Sequence, residues 1–98
     1  MIANIEKEFI LSRQLLKSGT SIGALVREAE HAQSTADFIS KMSISLKEAN
    51  ETEYWLLLIR DSNLLDAQIA HHLISINSEL ISMLVATIKT SKNKLSSG

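Results

Sequence analysis

Residues 17–23 read Lys-Ser-Gly-Thr-Ser-Ile-Gly, and how this stretch is read decides how many helices the chain has. Gly19 follows the last residue of an apolar helical pattern and is a natural C-terminal cap, because glycine enters the left-handed region without steric cost. Thr20 or Ser21 then offers a hydroxyl to cap a new helix. Gly23 falls in the first turn of that helix. There a missing side chain lets another backbone come close, or the helix merely tolerates the glycine. Read this way, the chain breaks after Ser18 and continues as a second helix.

Working outward, a first helix is expected over about residues 2–18, with Ile2, Ile5, Phe9 and Leu16 at helical spacing and Ile10 and Leu15 widening the stripe. Glu6 and Glu8 near its start and Arg13 and Lys17 near its end suit the helix dipole. A second helix over 21–33 carries Ile22, Leu25, Val26 and Ala29 on one side. Ser34-Thr35-Ala36-Asp37 has the form of a capping box and starts a third helix over 35–60. Its stripe is Phe38, Met42, Leu46, Ala49, Leu56 and Ile59. Asn63 either takes the left-handed cap of that helix or caps a fourth, over 64–92, with Asp66 in its first turn. The fourth stripe is Ile69, Leu73, Ile76, Leu80 and Met83, with Val85 or Ile88 extending it, and residues 96–98 are expected to fray. Short turns between four helices predict one all-α domain over 1–98, an antiparallel up-down-up-down four-helix bundle.

Composition agrees with an all-α class. Proline is absent and glycine occurs only at Gly19, Gly23 and Gly98, whereas an all-β chain needs many such turn residues. The 98 residues suffice for a single core. Without cysteine there is neither a disulfide framework nor a thiolate metal site. Ten Lys and Arg against eleven Asp and Glu leave the chain near neutral, which argues against bulk electrostatic binding of nucleic acid. No run approaches the ~18 apolar residues of a membrane span, and the start does not read as a signal peptide, so a cytoplasmic protein is expected.

The third helix holds Tyr54-Trp55-Leu56-Leu57-Leu58-Ile59, an unbroken apolar run. At about 100° per residue these side chains point all round the axis, so the run needs cover on every side. A bundle core covers one side, and another copy of the chain is the expected cover for the other.

Gln14-Leu15-Leu16, Ser18, Ser21-Ile22-Gly23, Glu28-Ala29, Asp37-Phe38, Lys41-Met42 and above all Lys47-Glu48-Ala49-Asn50-Glu51-Thr52-Glu53-Tyr54-Trp55-Leu56 resemble the four-helix-bundle family that includes proteins encoded in intervening sequences of bacterial 23S ribosomal RNA genes. The resemblance is strongest over residues 12–66. It implies an antiparallel four-helix protomer in a homopentameric ring and a nucleic-acid role; a related accessory protein of diversity-generating retroelements works beside a reverse transcriptase. It implies no catalytic residues. Leu25 stands where the family usually has Asn, Asn63 where Gly is common, and the first helix is shorter than usual.

Candidate sites follow from the same residues. Glu48 and Glu51, picked out by the resemblance, join Trp55, Leu57 and Leu58 as candidate subunit-interface residues; Trp55 suits an interface by its size and single donor. Arg13, Lys17, Arg27, Lys89, Lys92 and Lys94 are candidate phosphate contacts, which five-fold repetition would multiply into a ring, although helix-end charge complementarity accounts for them as well. Glu28 and His31 have the Glu-x-x-His spacing of di-iron bundles, but His71 and His72 follow Gln68 and Ile69, so there is no second pair. Adjacent His71 and His72 diverge and cannot chelate together. No catalytic site, metal, cofactor, small-molecule substrate or membrane partner is expected. The function expected is a non-enzymatic homo-oligomer, pentameric by resemblance, that binds RNA or DNA; the alternative is a protein-protein adaptor.

Overall fold

The computed structural model describes residues 2–63 and 65–97, with side chains placed for residues 10–63 and 65–96. It contains three helices: α1 (Ile2–Glu30), α2 (Thr35–Asp61) and α3 (Ala67–Ser97). The four-helix bundle expected from sequence is therefore not what forms. The expected first two helices are one. Neither Gly19 nor Gly23 has a positive φ, so no left-handed cap interrupts the backbone. Thr20 does not cap a new helix; its hydroxyl donates to the Leu16 carbonyl one turn back, at 2.8 Å.

The cause lies in the apolar row rather than the glycines. Leu11, Leu15, Ser18, Ile22, Leu25 and Ala29 recur at alternating spacings of four and three, and all are buried or half-buried. A glycine inside a helix costs about 1 kcal/mol relative to alanine, whereas burying one isoleucine returns about 1.5–3 kcal/mol. A break at Gly19 would put Ile22 and Ala29 out of register with Leu11 and Ser18. The helix runs through.

The α2 start is as expected: extended Ser34 accepts the Asp37 amide on its Oγ at 3.0 Å. Asn63 takes the left-handed position after α2 at φ 58°. It does not cap the last helix. Asp66 does, its carboxylate accepting the Gln68 amide at 2.8 Å. The expected frayed tail is helical as far as Ser97. The expected roles of Ile2, Ile5, Glu6, Glu8 and Phe9 and of the Leu64 helix start fall outside the described side chains and residues.

The three helices alternate in direction. α1 and α3 each pack along α2, and among the described residues they do not reach each other at backbone-contact distance. The Cα envelope is 58 × 20 × 14 Å, too wide for a closed triangular bundle and too thick for a flat layer. The molecule is a shallow trough with α2 as its floor and α1 and α3 as its walls. The floor is the row Phe38, Met42, Ser45, Ala49, Thr52, Leu56 and Ile59. Small residues in its middle let both walls come close. Asn77 of α3, itself buried, donates to the Ala49 carbonyl at 3.0 Å and pins that wall in register.

One end of the trough is filled. Ile22, Ala29, Met42, Ala49, Leu84 and Ile88 form a buried cluster, with Val26, Phe38, Ile39, Leu46, Leu80 and Ile81 packed on it. The other end stays open. The sequence expectation that no segment approaches a membrane span also needs amending for α3, whose most apolar 18-residue window has a mean hydropathy of 1.3. By length and composition alone that helix could cross a bilayer, a property that the core helices of soluble proteins share.

A candidate docking groove

The open end is an apolar groove of about 590 Å³. Leu15, Leu16 and Gly19 of α1 line one side, Leu56 and Ile59 of α2 the floor, and Leu73, Ile76 and Leu80 of α3 the other side. Its polar groups are few and mostly spent on their own helices: Thr20 bonds Leu16, and Thr52 donates to the Glu48 carbonyl at 2.9 Å.

The walls explain why this end is open. On α3 the row facing α2 is Ala70, Ile74, Asn77, Ile81, Leu84 and Ile88, all buried or half-buried. One residue back along the chain, and so about 100° round the helix, runs a second row with the same alternating spacing: Ile69, Leu73, Ile76, Leu80 and Met83. Its outer members are bare, Ile69 being 52%, Ile76 50% and Met83 66% exposed. On α1 the corresponding second row is Ser12, Leu16, Gly19 and Gly23, small apart from Leu16, which is 72% exposed. A Cβ built on either glycine meets nothing within 4 Å. Within one chain, then, no close packing accounts for these glycines.

The candidate interface residues are placed as follows. Leu56 and Ile59 are buried; Trp55, Leu57 and Leu58 are half-buried and Tyr54 is exposed. Because α2 is flanked on both sides by its own chain, much of the cover expected from another copy is supplied internally. Trp55 stacks edge-to-face on Tyr54 at 5.2 Å, and its indole N–H is buried without a protein acceptor. Glu48 is half-buried and Glu51 exposed. Of the candidate interface residues, Glu48, Glu51, Trp55, Leu57 and Leu58, none lines the groove. The groove was missed because its makers were read as a cap, a bundle core and an ordinary stripe. The signal was present in the doubled apolar rows of α3.

The candidate phosphate contacts divide. Arg27 lies near the α1 C-terminus and Lys89, Lys92 and Lys94 near that of α3, at the filled end where Ala29 and Ile88 share a cluster. Arg13 and Lys17 are further back on α1, beside the open end. All six are exposed. At the filled end Lys41 is paired with Glu28 at 3.3 Å, so one cation and the carboxylate of the Glu-x-x-His spacing are engaged with each other. His71 and His72 are both exposed, and among the described residues no group of three potential metal ligands comes together.

A three-helix trough with this capped start to α2 and this floor invites comparison with known proteins. The family model described as 23S rRNA-intervening sequence protein matches residues 3–86. The chain belongs to that family. A solved structure from Bacteroides thetaiotaomicron, described as a protein with unknown function from the S23 ribosomal protein family, is similar at 49% identity and a TM-score of 0.81, covering 90% of this chain and 82% of that one. No curated protein matches. The family assignment expected from the residues 47–56 run therefore holds, while the fold that came with it does not. The expected homopentamer was tied to a four-helix protomer, and with three helices here that support is lost.

Proposed function

We propose that this member of the family is a non-enzymatic helical scaffold that acts as a homo-oligomer and holds RNA or DNA on its exposed cations. The observation that carries the self-association is the uncovered groove together with the surface it leaves. A compact chain of 10.8 kDa exposes about 5,500 Å², whereas this one exposes 6931 Å², an excess of about 1,400 Å². A standard interface takes about 800 Å² from each partner, so the excess is of the size that association removes. The nucleic-acid part rests on the grouping of Arg27, Lys89, Lys92 and Lys94 at one end of the molecule and on the family resemblance. In an oligomer that group is repeated, and a near-neutral chain gains a phosphate-binding surface by avidity rather than by net charge.

Native mass spectrometry of the protein purified gently from a bacterial host, before and after nuclease, tests both parts. A multimer carrying nuclease-sensitive mass is the expected result. A bare multimer would remove the nucleic acid and leave a protein-protein adaptor; a bare monomer would remove the scaffold.

A further inference from the structure

Resting on the nucleic-acid part of that reading, we infer that the strand is held unpaired. One nucleobase lies on the apolar floor of a second, smaller groove on the far flank of α3, and the phosphates beside it lie on Lys89 and Lys92. This groove, of about 320 Å³, is lined by Leu46 of α2 and by Val85, Ile88, Lys89, Lys92 and Asn93 of α3. It is separate from the open end of the trough. Met83 precedes the buried Leu84 and Val85 follows it, so their side chains leave the helix about 200° apart, on opposite flanks. Ile88 is buried, Leu46 half-buried and Val85 48% exposed, so the floor offers aliphatic surface to a flat ligand face. Lys89 and Lys92 stand exposed above it, three residues apart and so neighbours on the helix surface. Their flexible stems reach phosphates on either side of one base. Among the described residues no carboxylate lines this groove.

The other candidate cations are placed differently. Arg27 shares its depression with Glu28, whose carboxylate repels a phosphate. Arg13 and Lys17 stand beside Ile10 and Leu16, but all four belong to α1, so no second helix forms an opposite wall. Lys94 does not line the groove. Of the six, Lys89 and Lys92 alone flank an apolar floor set between two helices. Helix-end charge complementarity accounts for lysines at the end of α3, but it places nothing apolar between them. A duplex keeps its base faces stacked inside and would use the lysines only. An unpaired strand presents a base face to Val85 and Leu46 as well, a contact that tolerates any sequence.

The test is fluorescence anisotropy at fixed salt with a short labelled single-stranded RNA of mixed sequence and with the same strand annealed to its complement. The full chain, Val85→Ser and the double variant Lys89→Gln/Lys92→Gln are compared, each checked by circular dichroism. Serine and valine have similar helix propensity and position 85 is exposed, so Val85→Ser is expected to keep the fold. Phosphate density alone favours the duplex, so tighter binding of the single strand requires contact with its bases. Expected is that preference in the parent, a loss of about three- to tenfold in single-strand affinity alone for Val85→Ser, and weaker binding of both RNAs for the double variant. A parent that binds the duplex as tightly as the single strand overturns this inference and leaves the nucleic-acid reading standing. So does an unchanged single-strand affinity in either folded variant. A parent that binds neither RNA overturns both.

Discussion

The two ends of the trough are built from the same three helices, and one holds a buried cluster while the other holds an open groove. At the filled end Phe38, Met42, Leu84 and Ile88 meet over Ala49, with Ile22 and Ala29 of α1 in the same cluster. At the open end Ser12, Gly19, Thr20 and Thr52 stand among Leu15, Leu16, Leu56, Ile59, Leu73, Ile76 and Leu80, and a groove remains between the walls. With no fourth wall there, large side chains stay in reach of solvent, Leu16 at 72% and Ile76 at 50% exposed.

That contrast can be broken by mutation, most strongly at the filled end. Leu84, 2% exposed, should cost about 2–5 kcal/mol when truncated in Leu84→Ala, read from urea unfolding in the monomeric concentration range. A loss below 1 kcal/mol, within the ordinary scatter of surface changes, would mean that the cluster is not the source of stability. Asn77→Ala should cost less, about 1–2 kcal/mol, because it removes the hydrogen bond to Ala49 that ties the two ends together. A cost no larger than that of an exposed serine-to-alanine change would remove its registering role.

At the open end the signs differ. Gly19→Ala should stabilise the isolated chain by about 0.5–1 kcal/mol, since the added methyl meets nothing and the helix gains propensity. A destabilised monomer would show that the glycine already packs within its own chain. Leu16→Ala should change monomer stability by less than about 0.5 kcal/mol, its side chain being 72% exposed, yet weaken association. An equal loss at Leu16 and Leu84 would abolish the distinction between the ends.

Much of this was legible in the residues. The Ser34 cap, one of the two roles open to Asn63, and the apolar members of the floor from Phe38 to Ile59 read correctly, because each is fixed by local chemistry or by a simple period. The break at Gly19 read wrongly, because a glycine's propensity is local while the row from Leu11 to Ala29 acts over about five turns through its packing on α2. Ser45, Thr52 and Asn77 were passed over because polar residues do not register in an apolar stripe, although they sit on the buried seams. Periodicity shows that α3 has two apolar rows. It does not say which row meets its own chain.

The most direct measurement is amide hydrogen exchange on the full chain below and above its association midpoint. Amides around Phe38 to Ala49 should be protected equally at both concentrations, whereas those around Ser12 to Thr20 and Leu73 to Leu80 should gain protection only on association. Protection that is the same at both concentrations in both regions would contradict the account, since it would mean that the open end needs no cover.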